Sequence, residues 1–152
     1  MPKPFTVRRF RIADLDRILE IEDASFGAEA YDRNLFAEFF RQSGELFLVA
    51  ERGGRICGYI LACTYRRALW KSAELVSVAV VPSARGKGAA SALMDSTLRR
   101  LRLRRVGRIG LMVRLTNQPA RRFYEKYGFE RVRTVRRYYE DGADALLMRK
   151  RL

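Results

Sequence analysis

Val78-Ala79-Val80-Val81-Pro82-Ser83-Ala84-Arg85-Gly86-Lys87-Gly88-Ala89-Ala90 joins an apolar, β-branched run to a stretch with helical spacing. The run before Pro82 belongs to a segment, Ala73 to Val81, that is continuously apolar rather than alternating, as in a central strand covered on both faces. After the turn, Ala89, Leu93, Met94, Thr97, Leu98 and Leu101 recur at helical intervals, with most arginines on the opposite side. A strand feeding a helix through a short glycine-bearing loop suits an anion. Gly86 and Gly88 let the backbone approach a ligand, the first N–H groups of the helix point outward, and the helix dipole adds partial positive charge. Arg85 and Lys87 add full charges. A solvated basic turn would use the same residue types, but it needs neither two glycines nor two cations.

Working outward, Phe5 to Arg11 alternates apolar and basic residues and reads as an opening strand. Leu15, Ile18, Leu19 and Glu22 follow at helical spacing with Asp14 as N-cap, and Asp32 caps a second helix bearing Leu35, Phe36, Phe39 and Phe40. Glu45 to Arg52 and Arg55 to Tyr65 read as strands joined by Gly53-Gly54, a pair suited to a tight hairpin. Beyond the central helix come a strand over Arg108 to Arg114, a short helix over Asn117 to Tyr127 closed by Gly128, and strands over Phe129 to Arg137 and Ala145 to Arg151. The pattern is mixed α/β, with no repeat, linker or low-complexity tract, and residues 1–152 read as a single domain.

The chain has 152 residues, 48% of them hydrophobic, enough for one domain with a sizeable core. Met1 to Arg11 is basic and broken by Pro2 and Pro4, without an apolar signal segment, and no apolar run reaches membrane-spanning length. Cys57 and Cys63, six positions apart in one strand, are expected on the same face, too far apart to bridge, and reduced in a cytoplasmic protein. With no histidine in the chain, Ser-His-Asp and Cys-His nucleophile pairs and the common zinc sites are excluded. Any acid or base is therefore Glu, Asp, Tyr, Cys or Lys. Thirty-one Lys plus Arg against seventeen Asp plus Glu give a formal charge of +14, a field attractive to phosphate-bearing or acidic partners without naming one.

The succession of strand, proline, Arg85-Gly86-Lys87-Gly88-Ala89-Ala90 and apolar helix resembles the acetyl-CoA signature of the GNAT superfamily of N-acetyltransferases: Arg or Gln, two residues, Gly, one residue, Gly or Ala. Val113-Arg114-Leu115-Thr116-Asn117 through Phe123-Tyr124 to Gly128-Phe129 is similar to a second family block. Arg137-Tyr138-Tyr139 and Ala145-Leu146-Leu147-Met148 resemble the bacterial ribosomal-protein alanine N-acetyltransferases. The resemblance implies a mostly antiparallel sheet of six to seven strands flanked by about four helices and splayed at the cofactor site. It implies acetyl-CoA as co-substrate, no metal, and a pantetheine arm bound by backbone groups of Val78, Ala79 and Val80. The pyrophosphate would lie on Arg85, Gly86, Lys87, Gly88, Ala89 and Ala90.

By the same resemblance, the Tyr124 phenol would hydrogen-bond the CoA sulfur and donate a proton as the thiolate leaves. Core packing accounts for a tyrosine there equally well. Asn117 reads both as a helix N-cap ahead of Pro119 and as a cofactor contact. The general base departs from the ribosomal-protein alanine type, whose members carry Glu where Met112 stands. Glu74 matches the base of the histone-acetylating branch in type and offset, and as a residue it also suits an exposed strand end. An α-amine of pKa ~8 costs about 1.4 kcal/mol to deprotonate at pH 7 against roughly 4.6 kcal/mol for lysine, so loss of that carboxylate is easier to tolerate with an N-terminal acceptor. Tyr31, Tyr138 and Tyr139 fall in the loops that flank the family's acceptor channel.

The sequence therefore supports an N-acetyltransferase acting on a protein or peptide amine, a ribosomal protein among the candidates, with a small-molecule amine as a variant. A competing expectation is a nucleic-acid or ribosome-binding module with a degenerate cradle. Nucleic-acid contact is compatible with the enzyme without being required by it, and either a monomer or a homodimer fits.

Overall fold

The computed structural model describes residues 4–152. Met1 to Lys3, part of the basic opening segment, lie outside the described residues. Eleven main elements follow in order: β1 (Thr6–Arg9), α1 (Leu15–Phe26), α2 (Arg33–Ser43), β2 (Phe47–Arg52), β3 (Arg55–Arg67), β4 (Trp70–Val80), α3 (Ala89–Leu103), β5 (Arg108–Arg114), α4 (Gln118–Lys126), β6 (Glu130–Val135) and β7 (Ala145–Arg151). The strands form one sheet in the order β1-β2-β3-β4-β5-β7-β6. Every neighbouring pair is antiparallel except β4 with β5. This is the mixed, mostly antiparallel sheet with four helices that the resemblance implied.

Both sheet faces are covered. Leu93, Met94, Leu98 and Leu101 of α3 pack on Leu48, Ile60, Ala73 and Leu111, and Tyr124 of α4 joins the same core. On the other face Leu15, Ile18 and Ile21 of α1 and Phe36 of α2 pack on Phe47, Val49, Tyr59 and Leu61. An aromatic chain runs through this second core, with Phe10 stacked on Phe47 at 4.1 Å and Phe36 edge-on to Tyr59 at 5.7 Å.

Two bulges set the geometry. Ala50 faces Gly58 while Glu51 faces Ile56, which leaves Cys57 as an extra residue on β3. Leu61 faces Ser77 while Ala62 faces Leu75, which leaves Val76 extra on β4. Each bulge inverts the in-out alternation beyond it. Cys57 accordingly joins the core under α3, whereas Cys63, in phase with Tyr59 and Leu61, lies on the opposite face. The expectation of a shared face fails because it counts residues without the bulge. Both cysteines are free.

Several boundaries also differ from the expected ones. β1 stops at Arg9, and Ile12–Asp14 form a 3-10 turn in which the Asp14 carboxylate accepts from Arg11 N–H at 2.7 Å. Asp14 makes no side-chain cap to α1; it is held by Arg8 at 2.8 Å, and that guanidinium pulls its pKa below the usual range. Asp32 does cap α2, accepting from Leu35 N–H at 2.8 Å. β3 and β4 extend past Tyr65 and before Ala73 into a long hairpin, and β6 ends at Val135, ahead of Arg137 in left-handed backbone (φ 53°).

Candidate active site

The cradle forms where β4 leaves the sheet. Pro82–Ala84 make one 3-10 turn, after which Gly86 (φ 73°) and Gly88 (φ 97°) take left-handed backbone that a side chain disfavours. A Cβ built on either glycine would meet no atom of the protein within 4 Å, so the space above this loop is open to a ligand. The first helical bond of α3 runs from Ala92 N–H to the Gly88 carbonyl at 2.9 Å, which leaves the amides of the preceding turn without intrahelical acceptors. Arg85 and Lys87 are exposed beside them. Arg85 also donates from Nε to the Val80 carbonyl at 3.0 Å, bracing the loop against the strand it leaves.

Next to the cradle the sheet opens. β4 and β5 pair only through Ser72–Arg108, Ala73–Ile109 and Glu74–Gly110. Beyond Glu74 the strands part, while β4 keeps its pairing with β3 as far as Val80. Val81 N–H donates to the Cys57 carbonyl at 2.8 Å, so by strand alternation Ala79 also faces β3 and Val78 and Val80 face the gap. The Ala79 carbonyl indeed lies 2.9 Å from where a Gly58 Cβ would stand. Of the three residues expected to offer backbone groups, Val78 and Val80 face the gap and Ala79 faces β3. Unpaired strand amides at a partly buried edge need partners, which an extended amide-bearing ligand supplies.

On the side of the gap opposite α3 lies a constellation drawn from separate segments. The Glu22 carboxylate, 1% exposed, accepts from Tyr31 N–H at 2.9 Å and from the Tyr59 hydroxyl, which also contacts Ser77 Oγ at 2.7 Å. Burial pushes the Glu22 pKa up, against the lowering effect of these two bonds. Glu74, exposed, shares this face and pairs in register with Cys63. Negative charge on Glu22, Tyr138 and Glu74 adds to burial in raising the Tyr31 pKa, which places all three within electrostatic reach of its phenol. Arg114 at the end of β5 pairs with Glu29 from the α1–α2 loop and with Asp141 at 3.0 Å from the β6–β7 loop, and lies 4.3 Å from the Tyr139 ring centroid. Tyr138 and Tyr139 stack edge to face at 5.0 Å. Burial, then the Tyr138 charge, pushes Tyr139 up to about 12.

Tyr124 stands across the gap on α4, 9% exposed, its pKa raised by burial and then by Tyr139. Its hydroxyl has no protein hydrogen-bond partner among the described residues, yet it is not sealed from solvent. Asn117 caps α4, accepting from Ala120 N–H at 3.2 Å.

Residues 14–129 match the Acetyltransferase (GNAT) family. The chain belongs to this family. It is 32% identical to an N-alpha-acetyltransferase of Sulfurisphaera tokodaii, over 96% of this chain and 92% of that one. It is 30% identical to a putative ribosomal protein bS18-alanine N-acetyltransferase of Bacillus subtilis, over 93% and 92%. A crystal structure of Chaetomium thermophilum Naa20 in complex with a bisubstrate analogue superposes with a TM-score of 0.86 at 30% identity, covering 97% of this chain and 86% of that one. The protein is an acetyl-CoA-dependent N-acetyltransferase, and a module with a degenerate cradle is set aside. Among the described residues no helix is long and apolar enough to cross a membrane.

Within this GNAT fold the structure brings Tyr31, Glu74, Tyr138 and Tyr139 to one side of the gap, with Tyr124 near Tyr139. It also adds Glu22, Tyr59, Ser77, Glu29 and Arg114, which sequence reading left out of the site. A charged residue on the apolar face of a helix, as Glu22 is beside Ile18 and Ile21, was the available signal. The joining of Arg114 to Glu29 and Asp141 had none, since 85 and 27 residues separate them.

Proposed function

We propose that this acetyltransferase acts on the N-terminal α-amine of protein chains, ribosomal proteins among them. The observation that carries the reading is the acceptor face itself: Arg114, at the end of β5 beyond its parting from β4, ties the loop bearing Tyr31 through Glu29 to the loop bearing Tyr138-Tyr139 through Asp141. The activities for which the Sulfurisphaera and Bacillus relatives are named agree with it.

Acetyl-CoA supplies an activated acetyl group as a thioester. Gly86 to Ala90, with Arg85 and Lys87, would hold its diphosphate, and Asn117 would add a contact. Val78 and Val80 would take the pantetheine amides, and a Val78 or Val80 N–H would polarise the thioester carbonyl. The amine nitrogen bonds to the acetyl carbon as the carbon–sulfur bond breaks. Glu74 takes the proton the amine loses, and Tyr124, kept protonated by burial, donates a hydrogen bond to the sulfur as it leaves as thiolate.

The experiment compares two peptides of one sequence, one with a free α-amine and an acetylated lysine, the other with a blocked N-terminus and a free lysine. Acetyl transfer to the first should exceed transfer to the second by at least about 10²-fold, in keeping with the roughly 3 kcal/mol difference in deprotonation cost. Equal rates, or a preference for lysine, would overturn the assignment.

A further inference from the structure

The end of the sheet remote from the cradle carries a different chemistry. Beyond Tyr65, β3 and β4 continue as a hairpin in which Arg66 faces Lys71 and Arg67 faces Trp70. Like charges directly opposite on a ladder repel, and among the described residues none of Arg66, Arg67 and Lys71 pairs with a carboxylate. The tip exposes Leu69 (93%) and Trp70 (72%), with Tyr65 at 45% behind them.

Lys71 ties the hairpin to the end of α3. Its carbonyl accepts from Gly107 N–H at 2.9 Å, and its Nζ donates to the Arg104 carbonyl at 3.3 Å. Arg105 and the exposed Leu103 are thereby brought to the same end of the molecule. The Glu45 carboxylate is already taken by Arg104 at 2.6 Å. A solvated charged face accounts for the cations alone. It does not account for a tryptophan and a tyrosine outside either core: by strand alternation Tyr65, Arg67 and Trp70 share the sheet face of Glu74, at the end remote from the gap, while Arg66 and Lys71 turn to the α3 side of the same hairpin. An acidic protein would satisfy the charge without using the flat rings, whereas a base stacks on them while its phosphates meet the cations.

We propose that this hairpin end binds single-stranded nucleic acid passing over its edge, with Trp70 and Tyr65 stacking bases beside Arg67 on one face and Arg66, Lys71 and Arg105 meeting phosphates as the strand turns to the α3 side. The surface lies where β4 and β5 converge, at the opposite end from their parting, so it is available whether or not the cradle is filled.

Trp70 is the chain's one tryptophan, so its fluorescence reports on this surface directly. The full chain is titrated with RNA and DNA strands of about 12 nucleotides, with CoA saturating so that Arg85 and Lys87 are blocked. Trp70 emission should quench to saturation with either or both strands, and the stronger binder identifies the source. The log-log salt plot should have a slope of roughly −2 to −3, from three or four phosphates at about −0.7 each. By anisotropy of a labelled strand, Trp70→Ala should weaken binding about 5- to 100-fold and the double variant Arg66→Glu, Arg67→Glu at least about 10-fold. Both variants should keep the CoA-dependent melting shift and peptide acetylation, which separates loss of this surface from loss of the fold or of the enzyme. Strand binding that neither quenches Trp70 nor responds to Trp70→Ala would overturn the proposal in favour of charge alone. Binding to anionic vesicles or to a polyglutamate peptide with none to either strand would overturn it in favour of a membrane or an acidic protein.

Discussion

Burial raises the pKa of both Tyr124 and Glu22, with opposite consequences for chemistry. A phenol whose proton is held more tightly is better kept as a donor, so the raised Tyr124 pKa suits a group that hydrogen-bonds a leaving sulfur rather than one that must ionise. Tyr124→Phe keeps the ring packing on Phe123 and Phe129, at 5.6 and 5.7 Å, and should lower kcat by about 10²-fold or more with CoA affinity within roughly twofold, measured by steady-state kinetics and calorimetry. Glu22 is a positioning residue, holding the Tyr31 backbone and, through Tyr59, the strand at Ser77. Since its folded pKa lies above the unfolded one, its contribution to stability is fully present below the ordinary glutamate range near ~4.3 and is lost as pH rises through the raised value. Glu22→Gln removes that titration. The difference in melting temperature, variant minus wild type, should become more positive from pH 4 to 8, and a pH-independent difference would show that Glu22 titrates as it does in the unfolded chain.

At the scale of elements, the site is made by β4. Its pairing with β3 persists to Val80 while its pairing with β5 ends at Glu74, and the Val76 bulge lies just past that divergence. The strand then runs into a loop whose glycines carry positive φ. Gly88→Ala places a Cβ in the open space of the cradle and forces left-handed backbone on a residue that resists it. CoA affinity should fall by about 10-fold or more in calorimetry while unfolding free energy falls by only about 1–2 kcal/mol in denaturant melts. The glycines were legible in the sequence because positive φ and close backbone approach leave a compositional mark. The bulges were not. Val76 and Cys57 are apolar residues in apolar strands, and nothing in their type distinguishes an extra residue from a paired one.

For the whole molecule, two cores lie on either side of one sheet, and the gap between β4 and β5 has one wall belonging to each half of it. A ligand lying there, as proposed for CoA, would join the halves and bind only the folded chain. CoA at about 100 times its Kd should therefore add about 2.7 kcal/mol to the unfolding free energy and raise Tm by roughly 5–10 °C in a thermal melt, and no shift would refute binding in the gap. The positive-φ glycine turn between β4 and α3, the mixed α/β order of elements and the family were readable from the chain alone, because such a turn is marked by its closely spaced glycines and because helical and strand spacing are local. The proposed acceptor face was decided by tertiary structure. Glu22, Tyr31, Tyr59, Ser77, Glu74, Arg114 and Tyr139 come from six separate segments, and the two bulges determine which way several of them point. Alternation along a strand counts residues, so one unpaired residue reverses every side chain beyond it, and only the folded pairing reveals where that residue is.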